Sequence, residues 1–400
     1  MRKFFVTILA MILACLSLAG VSAQGAGEPN QQLYPLRKPT GDQWALSDRN
    51  GKIHARFTLP KNGTIQEFKD GLGLVRNTSI GKWGLIDHTG KLIVPYKYTY
   101  ISSFSEGLAS FQIGESSGVI NRAGKEVIPP KFERIVGFRF GRSAASVNKK
   151  WGLIDTKGNW IVQPTFDYVG YIPERQQYSN DPILIKQGPY YGYMDAKGTI
   201  LVPSKYVLAR EFSDGLAAVQ EKDKQIGFIN SKGEYNIAPI YYFTVPFRNG
   251  IAYASNWKAD GKSLGGGLIN KKGEWIIPPG EFTPFAGSSD VEEGIYSYYT
   301  YKEDGQSTYA GAVTLTGEVI LEPKYSAIGR FYNGIAMVRL HDGREGFINR
   351  KGEYLVNPRY FGTYQSPHGS LMDRNGLYAI NWGLDGYLDY TGKLVIPPYR

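Results

Sequence analysis

The feature that most limits what this chain can fold into is a short motif with glycine at its second place, recurring about ten times from Trp44 onward. Clear copies run Trp83-Gly84-Leu85-Ile86-Asp87, Ser117-Gly118-Val119-Ile120-Asn121, Trp151-Gly152-Leu153-Ile154-Asp155 and Tyr191-Gly192-Tyr193-Met194-Asp195. Others centre on Gly227, Gly267, Gly311, Gly346 and Gly386, and a degraded first copy stands at Trp44-Ala45-Leu46-Ser47-Asp48. Self-similarity of this kind overrides any domain count taken from the 400 residues.

After each motif come a turn and an apolar run ending near proline, as in Gly90-Lys91-Leu92-Ile93-Val94-Pro95 and Gly392-Lys393-Leu394-Val395-Ile396-Pro397. This pattern predicts a β-hairpin. Asp or Asn opens the turn by bonding the backbone ahead of it, and glycine three residues later takes the positive φ the turn requires. Proline, lacking an N–H, is expected to end the ladder. A third strand is announced by runs such as Phe104-Ser105-Glu106-Gly107-Leu108-Ala109 and Phe212-Ser213-Asp214-Gly215-Leu216-Ala217.

Gly84 to Gly107, Gly192 to Gly215, Gly227 to Gly250 and Gly311 to Gly334 each span 23 residues. The remaining connection varies, being 11 from Gly107 to Gly118, 12 from Gly215 to Gly227 and 17 from Gly250 to Gly267. Insertions therefore collect at equivalent tips, which in a repeat array lie on one side. Consecutive apolar positions such as Leu85-Ile86, Leu92-Ile93-Val94 and Val127-Ile128 imply strands buried on both faces, hence small sheets stacked face to face. The expected fold is all-β, a tandem array of about ten three- to four-stranded units, either propeller-like or an open β superhelix. Ten hairpins against nine glycine-marked strands leave closure undecided.

The motifs resemble the bacterial WG-repeat (or KWG) family, with Lys82-Trp83-Gly84-Leu85-Ile86-Asp87 and Lys150-Trp151-Gly152-Leu153-Ile154-Asp155 carrying the pattern in full. The resemblance implies exported or surface-associated, repeat-built β proteins that mediate binding, with no common chemistry. Ser117, Tyr191, Ile226, Gly266, Ala310, Glu345 and Asp385 replace the tryptophan, which marks it as a packing position rather than a ligand reader.

Ahead of the array, Arg2 and Lys3 precede an apolar run from Phe4 to about Leu18 and the small-x-small site Val21-Ser22-Ala23. Residues 1–23 thus read as a secretory signal peptide, 24–43 as a linker and 44–400 as the array. No later stretch has the ~20 apolar residues of a membrane span. The only cysteine, Cys15, lies within the leader, where Ile12-Leu13-Ala14-Cys15 loosely matches a lipoprotein box and makes lipidation the minor alternative to cleavage at Ala23. The expected location is outside the cell or at its surface. The formal charge of +10 comes largely from lysines in hairpin turns, and no basic stripe or recognition motif points to nucleic acid.

Catalytic chemistry finds little support. His54, His88, His341 and His368 have no ligand spacing, and the recurrent Asp87, Asp155, Asp195 and Asp389 alternate with asparagines, which a turn cap tolerates and an acid–base role does not. Gly261-Lys262-Ser263 lacks the upstream glycine of a phosphate loop, and the adjacent Glu292 and Glu293 have no evident second carboxylate. No cofactor is implied. Aromatics just after the proline, among them Tyr98, Phe132, Phe166, Tyr206, Phe282, Tyr325 and Tyr360, are expected in the core. The candidate binding residues are those of the two longest tips: Trp257, Lys258, Asp260 and Lys262, with Tyr299, Tyr301, Glu303, Asp304 and Tyr309. The expected function is a non-catalytic binding module for a protein or a cell-wall or other polysaccharide. The alternatives are an enzyme acting on such a polymer and a structural spacer of the envelope.

Overall fold

The computed structural model describes residues 32–38, 41–170, 182–257, 263–279, 283–284, 292–301, 308–316, 318–329, 331, 334–360, 378–379, 387–389 and 393–397. The leader lies outside them. Among the described residues ten antiparallel sheets follow one another along the chain, at 34–58, 63–98, 100–132, 134–166, 168–206, 208–241, 243–277, 283–325, 327–360 and 378–396. The first and last have three strands and the others four, each sheet keeping its strands in chain order. The third sheet shows the plan: Tyr100–Ile101, Leu108–Ile113, Ser116–Asn121 and Glu126–Phe132, with the motif on the third strand.

The third strand is buried on both faces as expected, but the fourth is not. Leu92, Val127, Ile161 and Ile200 on fourth strands are all at least a third exposed, because that strand is an outer edge with one wet face. The grouping of strands also differs from the expected one. Each glycine-marked strand pairs with the motif that follows it, so the 23-residue block bridges two sheets. Its glycine completes a two-residue turn between first and second strands: Ser105 and Leu108 exchange both backbone hydrogen bonds at 2.9 Å around Glu106 (φ 53°) and Gly107 (φ 77°). Positive φ at both positions is the twist-matched hairpin turn. The elastic connection is the hairpin between second and third strands. Tyr34–Arg37, expected as linker, is a strand of the array, since it pairs with Gln43–Ser47.

Proline does not end the ladder either. The fourth strand of the second sheet runs from Leu92 to Tyr98 through Pro95. Trp83 pairs with Tyr98 and Leu85 with Val94, so Gly84 alone faces Pro95, Tyr96 and Lys97. The proline therefore sits in a bulge, where its missing N–H breaks no pair. The bulge drives a backbone carbonyl toward the motif glycine. A Cβ on Gly84 would lie 2.5 Å from the Val94 oxygen, on Gly192 2.6 Å from that of Val202, and on Gly346 2.6 Å from that of Val356. Beyond the bulge the chain returns inward, and Tyr98, Phe132, Phe166, Tyr206 and Tyr325 are buried as expected. Phe282 lies outside the described residues, and of Tyr360 only the backbone is described.

Turns after the motif are capped as the sequence implies. Asp87 accepts from the amides of Thr89 (2.8 Å) and Lys91 (3.0 Å), and Asn230 does the same for Lys232 and Glu234. The amide caps gain a further bond: Asn230, Asn270 and Asn349 donate to Glu234, Glu274 and Glu353 at 2.9, 2.7 and 2.6 Å.

Successive sheets stack through apolar faces, as Leu85, Val94 and Tyr98 of the second do with Ile101, Phe111 and Ile120 of the third. Among the described residues the turn glycine rests on the outer strand before it, Gly124 on Val94, Gly158 on Ile128 and Gly233 on Val202. On the rim of the two-residue turns, carboxylates tie neighbours together. Glu106 accepts from the amides of Phe140 (2.6 Å) and Gly141 (2.9 Å), Asp214 from Gly250 (2.7 Å) and Glu293 from Gly334 (2.9 Å).

The array closes on itself. Tyr34, Leu36 and Ala45 of the first sheet share a core with Tyr387 and Ile396 of the last. The Tyr34 and Tyr387 rings lie 5.1 Å apart, and the Tyr387 hydroxyl donates to the Pro35 carbonyl at 2.9 Å. Gly51 lies against the outer strand of the last sheet, at the Val395 oxygen and the Pro397 ring. Closure thus repeats the face-to-face contact, with no strand shared between first and last sheets among the described residues.

Two outcomes follow. Gly152→Ala forces a side chain against the Val162 carbonyl and should lower stability by about 1–3 kcal/mol in urea unfolding. Burial alone would raise the Asp155 carboxyl, but bonds from the Asn159 amide and side chain and the Lys157 amide hold it below its usual value. Its stabilisation is therefore present above the unfolded-state pKa and lost as pH falls through the folded one. Asp155→Asn should leave the midpoint at pH 7 within about 0.5 kcal/mol and unfold less readily than the parent near pH 3.

Candidate functional site

Because every sheet is a simple meander, the tips between second and third strands share one rim with the links from sheet to sheet. The two-residue turns and the motif turns form the other. Near the tip rim each sheet carries a row of directly paired residues. The second sheet has Thr64, Arg76, Trp83 and Tyr98, the third Tyr100, Gln112, Ser117 and Phe132, and the fourth Arg134, Ser146, Trp151 and Phe166. Paired residues project to the same side of a sheet, and here that side faces the next sheet. The Trp83 ring meets Tyr100 edge-on at 5.7 Å. The motif aromatic is thus a spacer between neighbouring sheets.

Where the ring is lost, another group takes its room. Ala310 pairs with Tyr299, which packs into the core between the eighth and ninth sheets. At Gly266 the Tyr253 side chain fills the place of the absent Cβ, and Ile226 is simply buried. Glu345, 4% exposed, pairs with Arg339, whose Nε and Nη2 reach Oε1 at 2.8 and 2.5 Å. Ser117 has no such substitute. Its hydroxyl donates to the Glu133 carbonyl at 3.0 Å, and beside it a cavity of about 260 Å³ opens between third and fourth sheets.

Tyr100, Phe111 and Trp151 give this cavity aromatic walls, Ile135 and Val136 aliphatic ones, and Gln112, Ser110, Ser117 and Arg134 its polar ones. No carboxylate or imidazole lines it. Tyr100 is 48% exposed and Trp151 half-buried. Among the described residues nothing hydrogen-bonds to the Gln112 amide, and no acidic group pairs with Arg134. Arg134 stands where the third and fifth sheets have Tyr100 and Tyr168, so the first strand of the fourth sheet has no ring at this place.

The residues singled out in the long tips fare unevenly. Trp257 closes its strand paired with Ser263, and Tyr301 pairs with Thr308, so both backbones reach the same rim as the cavity. Lys258, Asp260, Lys262, Glu303 and Asp304 lie outside the described residues. Tyr299 is half-buried rather than presented to solvent; burial raises its phenol pKa, opposed by Arg339. Tyr309 stacks edge-on with His341 of the next tip at 4.6 Å. Ser263 opens a strand rather than a helix, against any phosphate loop. Glu293 is engaged by Arg350 at 2.6 Å as well as by Gly334. No group of three metal-binding side chains occurs among the described residues, and no helix there is long and apolar enough to cross a membrane.

The pattern of the WG containing repeat matches residues 83–115, 118–151, 151–174, 191–224, 226–256, 267–283 and 311–343, more than half of the chain. The chain belongs to the WG-repeat family. No curated protein matches it. Among solved structures it is similar to a eukaryotic initiation factor, with 9% identity, 81% of this chain and 95% of that one covered and a TM-score of 0.49. BamB from Moraxella catarrhalis gives 12%, 81%, 97% and 0.29, and the computationally designed Ika8 protein 11%, 71%, 94% and 0.37.

The spacer row of this WG-repeat protein can be probed at Arg339. Arg339→Ala strands the buried Glu345 carboxylate and should cost about 1–3 kcal/mol, discounted because Arg339 is itself 42% exposed. Adding Glu345→Gln should recover part of that loss in the same urea titration.

Proposed function

We propose that this WG-repeat protein is an exported, non-catalytic binding module. Its tip rim holds a protein or glycan ligand, anchored in the cavity between the third and fourth sheets. The observation that carries the reading is the composition of that cavity. Aromatic walls meet the side chains of Gln112 and Arg134 there, while nothing able to move a proton at neutral pH or hold a catalytic metal lines it. Trp257 and Tyr301, whose backbones reach the same rim, remain candidates for further contact. Export is read from the leader pattern of residues 1–23, and the ligand of an exported module would be an envelope protein, a wall polymer or a secreted glycan.

The test compares the full mature chain with the double variant Tyr100→Ala/Trp151→Ala in co-sedimentation with purified cell-wall polymer and in binding to fractionated envelope proteins. At least tenfold weaker binding by the variant, with its ring folded as judged by circular dichroism, is the expected result. Undiminished binding would remove the cavity as the anchor. Turnover of a polysaccharide, abolished by one carboxylate substitution, would replace the reading with an enzymatic one.

A further inference from the structure

Building on that binding reading, we infer that the cavity between the third and fourth sheets takes a single sugar ring carrying an anionic substituent. Its volume, about 260 Å³, falls below the roughly 300–1,000 Å³ of sites for drug-sized ligands. That size suits one ring. The ring walls, Tyr100 and Trp151, offer apolar surface with polar edges. A pyranose has the matching character, with C–H faces that cover an aromatic ring and hydroxyls around its perimeter. Those hydroxyls would meet Gln112, whose side-chain amide both donates and accepts, and the Ser110 and Ser117 side of the cavity.

The anionic substituent is called for by Arg134. Its guanidinium is exposed at the cavity, has no acidic partner among the described residues, and shares the lining with no carboxylate. A planar fork of donors matches a carboxylate or phosphate group far better than a neutral hydroxyl. Contrast with the neighbouring interfaces points the same way. Trp83 faces Tyr100 where the second and third sheets meet, a ring against a ring that leaves no room. At the next interface the pair has become Ser117 and Arg134, which at once opens space and supplies charge.

The same comparison provides the decisive variant. Ser117→Trp restores the side chain that Trp83 and Trp151 carry at this place, so the fold should hold while the cavity fills. It also leaves the net charge untouched, so general attraction of a basic protein for polyanions persists as an internal control. Calorimetric titration of the full mature chain at 150 mM salt would use oligogalacturonate, galactose 6-phosphate and a neutral galacto-oligosaccharide. Parent protein should bind one or both anionic probes at least tenfold more tightly than the neutral one. Arg134→Ala should erase the preference, Arg134→Lys should restore part of it, and Ser117→Trp should abolish binding with the urea midpoint unchanged or raised.

Equal affinity for neutral and anionic sugars, or an unchanged preference in Arg134→Ala, would overturn the anionic assignment and leave the cavity as a sugar site. Anionic binding that survives in Ser117→Trp would place the sugar outside the cavity and overturn the inference. The loss of polymer binding in Tyr100→Ala/Trp151→Ala is then read separately. A glutamate-rich peptide that binds as well as oligogalacturonate, sensitive to Ser117→Trp, would assign the site to acidic proteins instead.

Discussion

One contact organises the second to ninth sheets: the carbonyl oxygen of the outer strand pressed against the motif glycine. With any side chain at Gly84 the Val94 oxygen would be displaced, and with it the bulge that turns the strand back at Pro95. The bulge brings Tyr98 into the core, and only Thr99 separates it from the next sheet. Spacing between sheets and the close succession of one after another thus trace to a missing Cβ. The motif therefore keeps glycine at Gly118, Gly152, Gly192, Gly227, Gly267, Gly311 and Gly346 while its tryptophan changes freely.

That freedom has rules, and they are local. The spacer position needs volume toward the next sheet, not a particular ring, so Tyr299 can serve Ala310 from the adjacent strand and Arg339 can serve Glu345. Turn caps behave alike. An asparagine cap offers a donor as well as an acceptor, and at Asn230, Asn270 and Asn349 a glutamate four residues on receives it. In both cases the repeats drift by paired replacements within one sheet. Ser117 departs from this because its counterpart, Arg134, is in the following sheet and repels nothing while leaving the gap unfilled.

Local chemistry is what the sequence makes legible. Hairpins, caps, the positive-φ glycines and the elastic tips all rest on residues a few positions apart, and they are found where expected. Proline was harder to place, since the reasoning that ends a ladder at a missing N–H also permits a bulge, and the choice depends on Gly84 across the strand pair. The grouping of strands was hidden because the most rigid spacing, Gly84 to Gly107, crosses from one sheet to the next. Closure depended on Tyr34 meeting Tyr387, more than 350 positions apart. The cavity was half visible: the loss of tryptophan at Ser117 could be read, but not that Arg134 faces it, because the register of short first strands is invisible to pattern alone.

The seam of the ring carries a further consequence. Since first and last sheets meet through the same kind of apolar face-to-face contact that joins the first nine sheets to one another, the chain has no privileged starting point. Its ends could be moved to another inter-sheet link and the ring rejoined across the present one without inventing a new interface. For the same reason, gain or loss of a whole repeat by duplication or deletion in the gene alters the circumference while preserving how its members fit. A lineage of such proteins can resize its ring one unit at a time.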